Sequence, residues 1–262
     1  LPDHADDELL IDPSDGVLRL TFNRPQVLNA VSADSSDRFS EVLEQAVTDE
    51  TVRVVLLTGA GYAFSAGADL SAPDAIDHLD HTSLQRANRA IRAIVALDKP
   101  VVAAVNGPAA GVGCAIALAC DLAIAHPDAS FFLAFTRLGL MPDGGSSATA
   151  AASVGRARAM RMALLAEPLS AQEAYDAGLV SHLAASAEEF EATTEKVVRR
   201  LARGAPLALA ATKKAVNSAT LGNLAEVLET EMRGQSLLLR TDDAGEGIRA
   251  FIEGRRPGFT GD

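Results

Sequence analysis

"KPVVAAVNGPAAGVGCAIALACDLAIA", residues 99–125, sets two apolar runs, "VVAAV" and "LAIA", on either side of a small-residue stretch that opens near Gly111. Runs that are apolar throughout, rather than alternating, belong to strands buried on both faces, as in a parallel sheet covered by helices. Asn106-Gly107-Pro108 marks a turn after the first run, and the residues from Gly111 onward read as a helix. A strand, a glycine-bearing loop and a helix start in succession is where α/β proteins place ligands, because glycine admits a close approach to backbone N–H groups.

The same alternation extends outward from this stretch. "ELLIDPSDGVLRLTF" reads as a hairpin turning at "PSDG", and Ser32 as the N-cap of a helix with Phe39, Val42, Leu43 and Ala46 on one face. The apolar "VRVVLLTG" follows as a strand, then a helix around residues 82–97. Beyond residue 125, "GRARAMRMALLA" and "SAQEAYDAGL" read as helices and "LVSHLA" as a short strand. From Ser186 only helical periodicity remains. The fold class is therefore α/β, with a core over residues 1–195 and a helical region over 196–262. No repeat or long linker separates independent domains.

Of the 262 residues 48% are hydrophobic and 22% charged, the balance of a folding globular chain rather than a disordered one. The net charge of −12 argues against a broad nucleic-acid surface, so an anionic ligand must be met locally, by clusters such as Lys213-Lys214 and Arg255-Arg256 or by helix N-termini. Asn106, Pro108 and Asp121 interrupt the longest apolar stretch, and no unbroken run reaches the roughly 18 residues of a membrane span. The acidic opening "LPDHADDELL" lacks the pattern of a secretory signal, which makes a cytoplasmic location the expectation. Cys114 and Cys120, six apart in apolar surroundings, match no common metal or redox spacing and read as core residues.

Three glycine-containing loops carry the candidate chemistry: "GYAFSAGADL", "NGPAAGVGCA" and "LGLMPDGGSS". None satisfies a dinucleotide or phosphate-loop pattern. Two such loops together can present backbone N–H groups as an oxyanion hole. Asp143, between Pro142 and Gly144-Gly145, is either a turn aspartate bonded to its own backbone or a catalytic acid. His78 and His81, three apart, could form half of a metal site, but no further ligands are identified and they read as exposed histidines. No resident metal is expected.

"FNRPQVLNAVS", "FSAGADL", the stretch quoted first, "LGLMPDGGSS", "LSAQEAYDAGLV" and "IRAFIEGRRPGF", in this order, resemble the enoyl-CoA hydratase/isomerase family, also called the crotonase superfamily. The resemblance covers nearly the whole chain. It implies a crotonase-like spiral of ββα units, a helical C-terminal trimerisation region, a homotrimer or hexamer, and an acyl-CoA thioester as substrate. Coenzyme A would be part of that substrate, with no separate cofactor, nucleic acid or membrane partner. The oxyanion-hole donors would be the N–H groups of Ala68 and Val112. Contacts to CoA would come from Gln26, Val27 and Leu28, from Ala66, Gly67, Ala68, Asp69 and Leu70, from Gly111 and Val112, and from Phe251 of a neighbouring subunit. Lysine is common in relatives where Gln26 stands, so Lys213, Lys214, Arg255 and Arg256 are candidates to meet the CoA phosphates.

Hydratases of this family use two glutamates, at positions matching Ala115 and Phe135, and both are apolar here. In the branch of 3-enoyl-CoA isomerases and phenylacetate-pathway ring-epoxide isomerases, the acid lies in a segment like Pro142-Asp143-Gly144-Gly145. The resemblance thus makes Asp143 a single base that moves a proton, its pKa raised by desolvation among Phe135, Leu140 and Met141. Asp69 would cap the following turn and fix the Ala68 amide. The segment at 72–85 would be a flap over the acyl pocket. A related dehalogenase uses a tryptophan that this chain lacks. The expected activity is an enoyl-CoA isomerase, shifting 3-enoyl-CoA to 2-enoyl-CoA. The alternatives are a hydratase and a catalytically silent acyl-CoA binder.

Overall fold

The hairpin read from the sequence is present in a computed structural model that describes residues 7–70 and 80–262. Strands β1 (Leu9–Ser14) and β2 (Val17–Phe22) pair antiparallel, and the turn residues Asp15 and Gly16 both have left-handed φ, the turn geometry that matches strand twist. Helix α1 (Ala33–Ala46) starts where expected. Ser32 Oγ accepts from Ser35 N–H at 3.1 Å and Ser35 Oγ accepts from Ser32 N–H at 2.9 Å, a reciprocal cap.

Strand β3 (Val54–Gly59), helix α2 (His81–Ala96) and strand β4 (Val101–Val105) continue the alternation. Then come β5 (Pro108–Ala110), α3 (Gly111–Ala119), β6 (Leu122–Ala125) and β7 (Ser130–Phe132). Helix α4 (Ser146–Leu165), β8 (Leu169–Ser170), α5 (Ala171–Asp176) and β9 (His182–Leu183) complete the α/β part. Helices α6 (Ala187–Ala202), α7 (Pro206–Thr220), α8 (Leu224–Leu238) and α9 (Asp242–Ile252) close the chain.

Among the described residues one sheet has the order β1-β2-β3-β4-β6-β9, parallel from β2 onward, and a second the order β5-β7-β8. The units β4-β5-α3 and β6-β7 each send their first strand to the large sheet and their second to the small one. Repetition of that step makes a spiral. The large sheet is covered on both faces, as its apolar runs require. Val55 and Leu57 of β3, with Val101, Ala103 and Val105 of β4, enter the main core. Val54, Leu56, Val102 and Ala104 face a smaller cluster closed by Phe190 and Val198 of α6.

Three features differ from the sequence reading. The loop "NGPAAGVG" contains strand β5, too short for a periodic signal and formed because Ala109 pairs with Phe131 and bridges to Ser65. Helix α4 begins at Ser146, ahead of the expected start, and breaks at Gly155. The division at 195 falls inside α6, which packs on the sheet, so the helical region joins the core without a linker there.

The loops after β3 and β4 lie backbone against backbone. A Cβ added at Gly107 would sit 1.8 Å from the Tyr62 carbonyl oxygen, where no side chain fits. Asn29 Nδ2 donates to the carbonyls of Ala60 and Ala63 at 2.8 and 2.7 Å, and Asn106 Nδ2 to that of Gly61 at 3.0 Å. The substitution Gly107→Ala should therefore cost about 1–3 kcal/mol through forced displacement of this contact. Urea unfolding should show a lower midpoint, and an unchanged midpoint would contradict the backbone contact.

Candidate active site

Two of these loops carry backbone donors that have no partner among the described residues. Val31 N–H donates to the Gly67 carbonyl at 2.7 Å, and Asp69 N–H donates to the Val31 carbonyl at 3.2 Å. Within one trans peptide unit C=O and N–H point opposite ways, so the bond at the Gly67 oxygen turns the Ala68 N–H away from Val31. Ala68 is exposed. Val112 is the second residue of α3, where N–H groups have no partner inside the helix, and Ala110 supplies no side-chain cap. Gly67, with φ of 96°, brings the two segments together: a Cβ there would lie 2.8 Å from the Ala110 oxygen and 3.5 Å from Gly111 Cα. Only glycine permits that approach.

Asp143 lies beside the same place. The next residue, Gly144, is so close to α3 that a Cβ on it would be 3.1 Å from Ala115 Cβ and 3.9 Å from Val112 Cγ2. Asp143 is 9% exposed, Oδ2 accepts from Gln235 Nε2 at 3.0 Å, and Oδ1 is buried without a hydrogen-bond partner among the described residues. Burial pushes its carboxyl up to about 7; the Gln235 bond opposes this and the nearby charge of Glu231 adds to it. Ala115 and Phe135 are buried, so no carboxylate stands at either position.

Sequence reasoning missed the partners of this acid. Glu231 and Gln235 continue a buried stripe on α8 that begins with Leu224 and Leu228. Polar residues at the spacing of an apolar helix face were the available signal. Glu231 accepts from Gly145 N–H at 2.6 Å and Ser147 N–H at 3.0 Å, which holds the start of α4. Burial raises the Glu231 pKa.

The segment expected to touch CoA is placed next to the first donor loop. Pro25–Val27 form a short 3-10 turn, Gln26 and Leu28 are exposed, and the Leu28 carbonyl accepts from Ala66 N–H at 2.9 Å. Asp69 Oδ2 accepts from Arg24 Nη1 at 2.6 Å, which ties the two segments. Arg24 was not singled out in the sequence. The turn that Asp69 was expected to cap, residues 72–79 of the flap expected over 72–85, and His78 lie outside the described residues, while the rest of that flap is Asp80, the N-cap of α2, and the helix's first residues. His81 is exposed at the start of α2, and among the described residues no group of three His, Cys, Asp or Glu side chains is placed to hold a metal ion. Leu70 is half-buried, and Phe251 is exposed on α9.

One candidate phosphate contact, Lys213, is corrected. Lys213 on α7 is half-buried as a residue but its side chain is only 7% exposed, with Nζ 2.8 Å from Asp121 Oδ2 and donating to the carbonyls of Ile94 and Lys99 at 2.8 and 3.2 Å. All three of its N–H groups are engaged internally. Arg255 pairs with Glu246 and Glu253. The cysteines are free, Cys114 buried and Cys120 half-buried, and burial raises both thiols, that of Cys114 to about 12. Neither is a nucleophile at neutral pH.

A protein-family model described as enoyl-CoA hydratase/isomerase matches residues 12–262. The chain is 40% identical to 1,2-epoxyphenylacetyl-CoA isomerase of Escherichia coli (strain K12), over 94% of this chain and 95% of that protein. It is 38% identical to 2,3-dehydroadipyl-CoA hydratase of the same organism, over 97% and 99%. A crystal structure of an enoyl-CoA hydratase from Mycobacterium avium subsp. paratuberculosis K-10 matches with a TM-score of 0.90 at 49% identity, over 97% of this chain and 98% of that one.

The raised pKa of Asp143 has a sign in stability. Unfolded, the group titrates near 3.8; folded, near 7, so the folded state holds the proton more tightly. Stability is then lost as pH rises from about 4 to 7, where the buried carboxyl must ionise. Asp143→Asn keeps the shape and removes the charge. It should melt at a higher temperature than the parent at pH 8 and at nearly the same temperature at pH 4, read by calorimetry; equal melting at pH 8 would contradict a strained buried carboxylate.

Proposed function

The chain belongs to the enoyl-CoA hydratase/isomerase family, and from that premise we propose that it is an acyl-CoA isomerase moving a double bond from the 3- to the 2-position through Asp143. The observation that carries this reading is Asp143, a buried carboxylate with one oxygen unpartnered among the described residues, beside two backbone N–H groups and with Ala115 and Phe135 at the other acid positions, while the other buried carboxylate, Glu231, has both oxygens engaged by Gly145 and Ser147 N–H. Hydration asks for an activated water and a proton delivered to the neighbouring carbon, work suited to two carboxylates. A double-bond shift asks for one.

In the proposed reaction a C2–H bond breaks and an O–H bond forms on Asp143. The electron pair moves through the conjugated system onto the thioester oxygen, giving a dienolate. The N–H groups of Ala68 and Val112 meet that charge, each donor being worth about 3 kcal/mol in comparable sites. The dienolate then takes the proton back from Asp143 at C4, and the acid returns to its starting state. A carboxyl titrating near 7 is matched to both halves of this cycle, since it is basic enough to accept and acidic enough to donate at neutral pH. The similarity to an isomerase of a CoA thioester is consistent with this reading.

The same reading includes a homotrimer or a hexamer. Helix α7 buries no residue within the chain, and Leu207 and Val216 on it are exposed, so this apolar surface is suited to contact with further copies. Light scattering should give a mass of three or six chains; a monomer would remove this part of the proposal.

Ultraviolet absorbance tests the activity by following conjugation to the thioester when the protein meets a 3-enoyl-CoA, with a 2-enoyl-CoA as the hydration control. Conjugation should appear, hydration should be slow, and Asp143→Asn should lower kcat/KM by about 10²–10⁴-fold. In the parent, kcat/KM should fall as pH drops below about 7, because protonation removes the base. Faster hydration than conjugation would identify a hydratase, and tight binding without conversion of either ester would identify a silent binder.

A further inference from the structure

Gln235 touches none of the atoms assigned to the reaction, yet it is 2% exposed and both ends of its amide are used. Its Oε1 accepts from Met141 N–H at 3.0 Å, and its Nε2 donates to Asp143 Oδ2 at 3.0 Å. We propose that Gln235 is the positioning residue that assigns proton transfer to one oxygen of Asp143, Oδ1, by occupying the other. The inference rests on the isomerase reading of Asp143 and deepens it.

The argument begins with the backbone donor. A main-chain N–H cannot accept, so the Met141 amide dictates which end of the Gln235 side chain faces it. The carbonyl end must turn toward Met141, and the NH2 end therefore turns toward Asp143. Flipping the amide would set a donor against a donor at Met141 and a carbonyl against a carboxylate at Asp143. The loop is held in register on α8 by close packing: a Cβ on Gly234 would lie 2.4 Å from Met141 Sδ, so the methionine lies flat on the helix beside Gln235.

Asp143 Oδ2 consequently faces an N–H donor in both of its protonation states. A proton placed on Oδ2 would confront that donor. The Gln235 donor therefore favours placing the proton that Asp143 takes from substrate on Oδ1, the oxygen that has no partner among the described residues. One atom then both accepts and returns the proton, as a single-acid relay between C2 and C4 requires. Among the described residues the charged group facing this carboxyl is Glu231, also on α8, which accepts from Gly145 and Ser147 N–H. Next to Asp143, Gly144 meets Ile91 of α2 and Ala115 of α3, both apolar. The Gln235 bond lowers the pKa of Asp143 while burial and Glu231 raise it.

The test compares kcat and KM for a 3-enoyl-CoA against pH in the parent, Gln235→Leu and Gln235→Glu, with Asp143→Asn alongside. Removing the donor in Gln235→Leu should move the acid limb of kcat/KM upward by about one pH unit. In the same variant kcat on the plateau should fall about tenfold or more with KM nearly unchanged, since proton transfer and not binding is affected. Gln235→Glu has nearly the same shape and keeps an acceptor for Met141 N–H, so it serves where the leucine variant does not fold. It sets a second carboxyl against Asp143, and the shared proton should raise the limb further. A folded Gln235→Leu or Gln235→Glu with the parent limb and kcat overturns the inference. If Asp143→Asn remains active, the isomerase reading itself fails. If Asp143→Asn is inactive and the Gln235 variants behave as the parent, only the positioning role fails.

Discussion

The contact on which the site depends is backbone against backbone, between the segment that follows β3 and the segment that follows β4. No side chain fits between Gly107 and Tyr62, and none fits between Gly67 and Ala110. Side chains at these points would force the segments apart and draw the Ala68 and Val112 amides away from each other. Asn29 and Asn106 satisfy the carbonyls that so close an approach would otherwise leave buried and unpaired. Packing and polar satisfaction therefore fix the same geometry. The donors that remain free are those that the peptide plane of Gly67-Ala68 and the first turn of α3 leave without a partner.

Against this fixed pair of amides stands one acid whose surroundings oppose its charge. Burial outweighs the Gln235 hydrogen bond, and Glu231 adds repulsion, so the carboxyl titrates near neutrality. The arrangement is costly to the folded state and useful to a proton carrier for the same reason. A better-solvated aspartate would be a more stable residue and a weaker base. The helix that supplies both modulating groups, α8, belongs to the C-terminal region, so that region shapes the site chemically as well as covering the core.

Charge elsewhere in the interior is used for holding elements together. Lys213 joins α7 to Asp121 and to the carbonyls of Ile94 and Lys99, and Arg24 joins the 24–30 segment to Asp69. Truncating one partner of a fully buried pair typically costs about 3–5 kcal/mol, and these partly buried pairs should cost less. Lys213, which looks available in the sequence, is thus committed to internal partners.

The sequence by itself determined the α/β class, the covered parallel sheet and most helix starts, because these follow from local signals: uninterrupted apolar runs, the Ser32 cap and the turn at Asp15-Gly16. It also singled out Asp143, through an acid in a loop of proline and glycine and through the resemblance of its segment. The tertiary structure decided what pairing across long separations decides. Strand β5 exists because Ala109 meets Phe131 and Ser65. The commitment of Lys213 to Asp121 joins residues far apart in the chain, and no local pattern announces it. Glu231 and Gln235 reach Asp143 only because α8 packs against the loop that precedes α4, and a hydrogen bond or a desolvated carboxyl is a property of that packing, which no stretch of either segment contains alone.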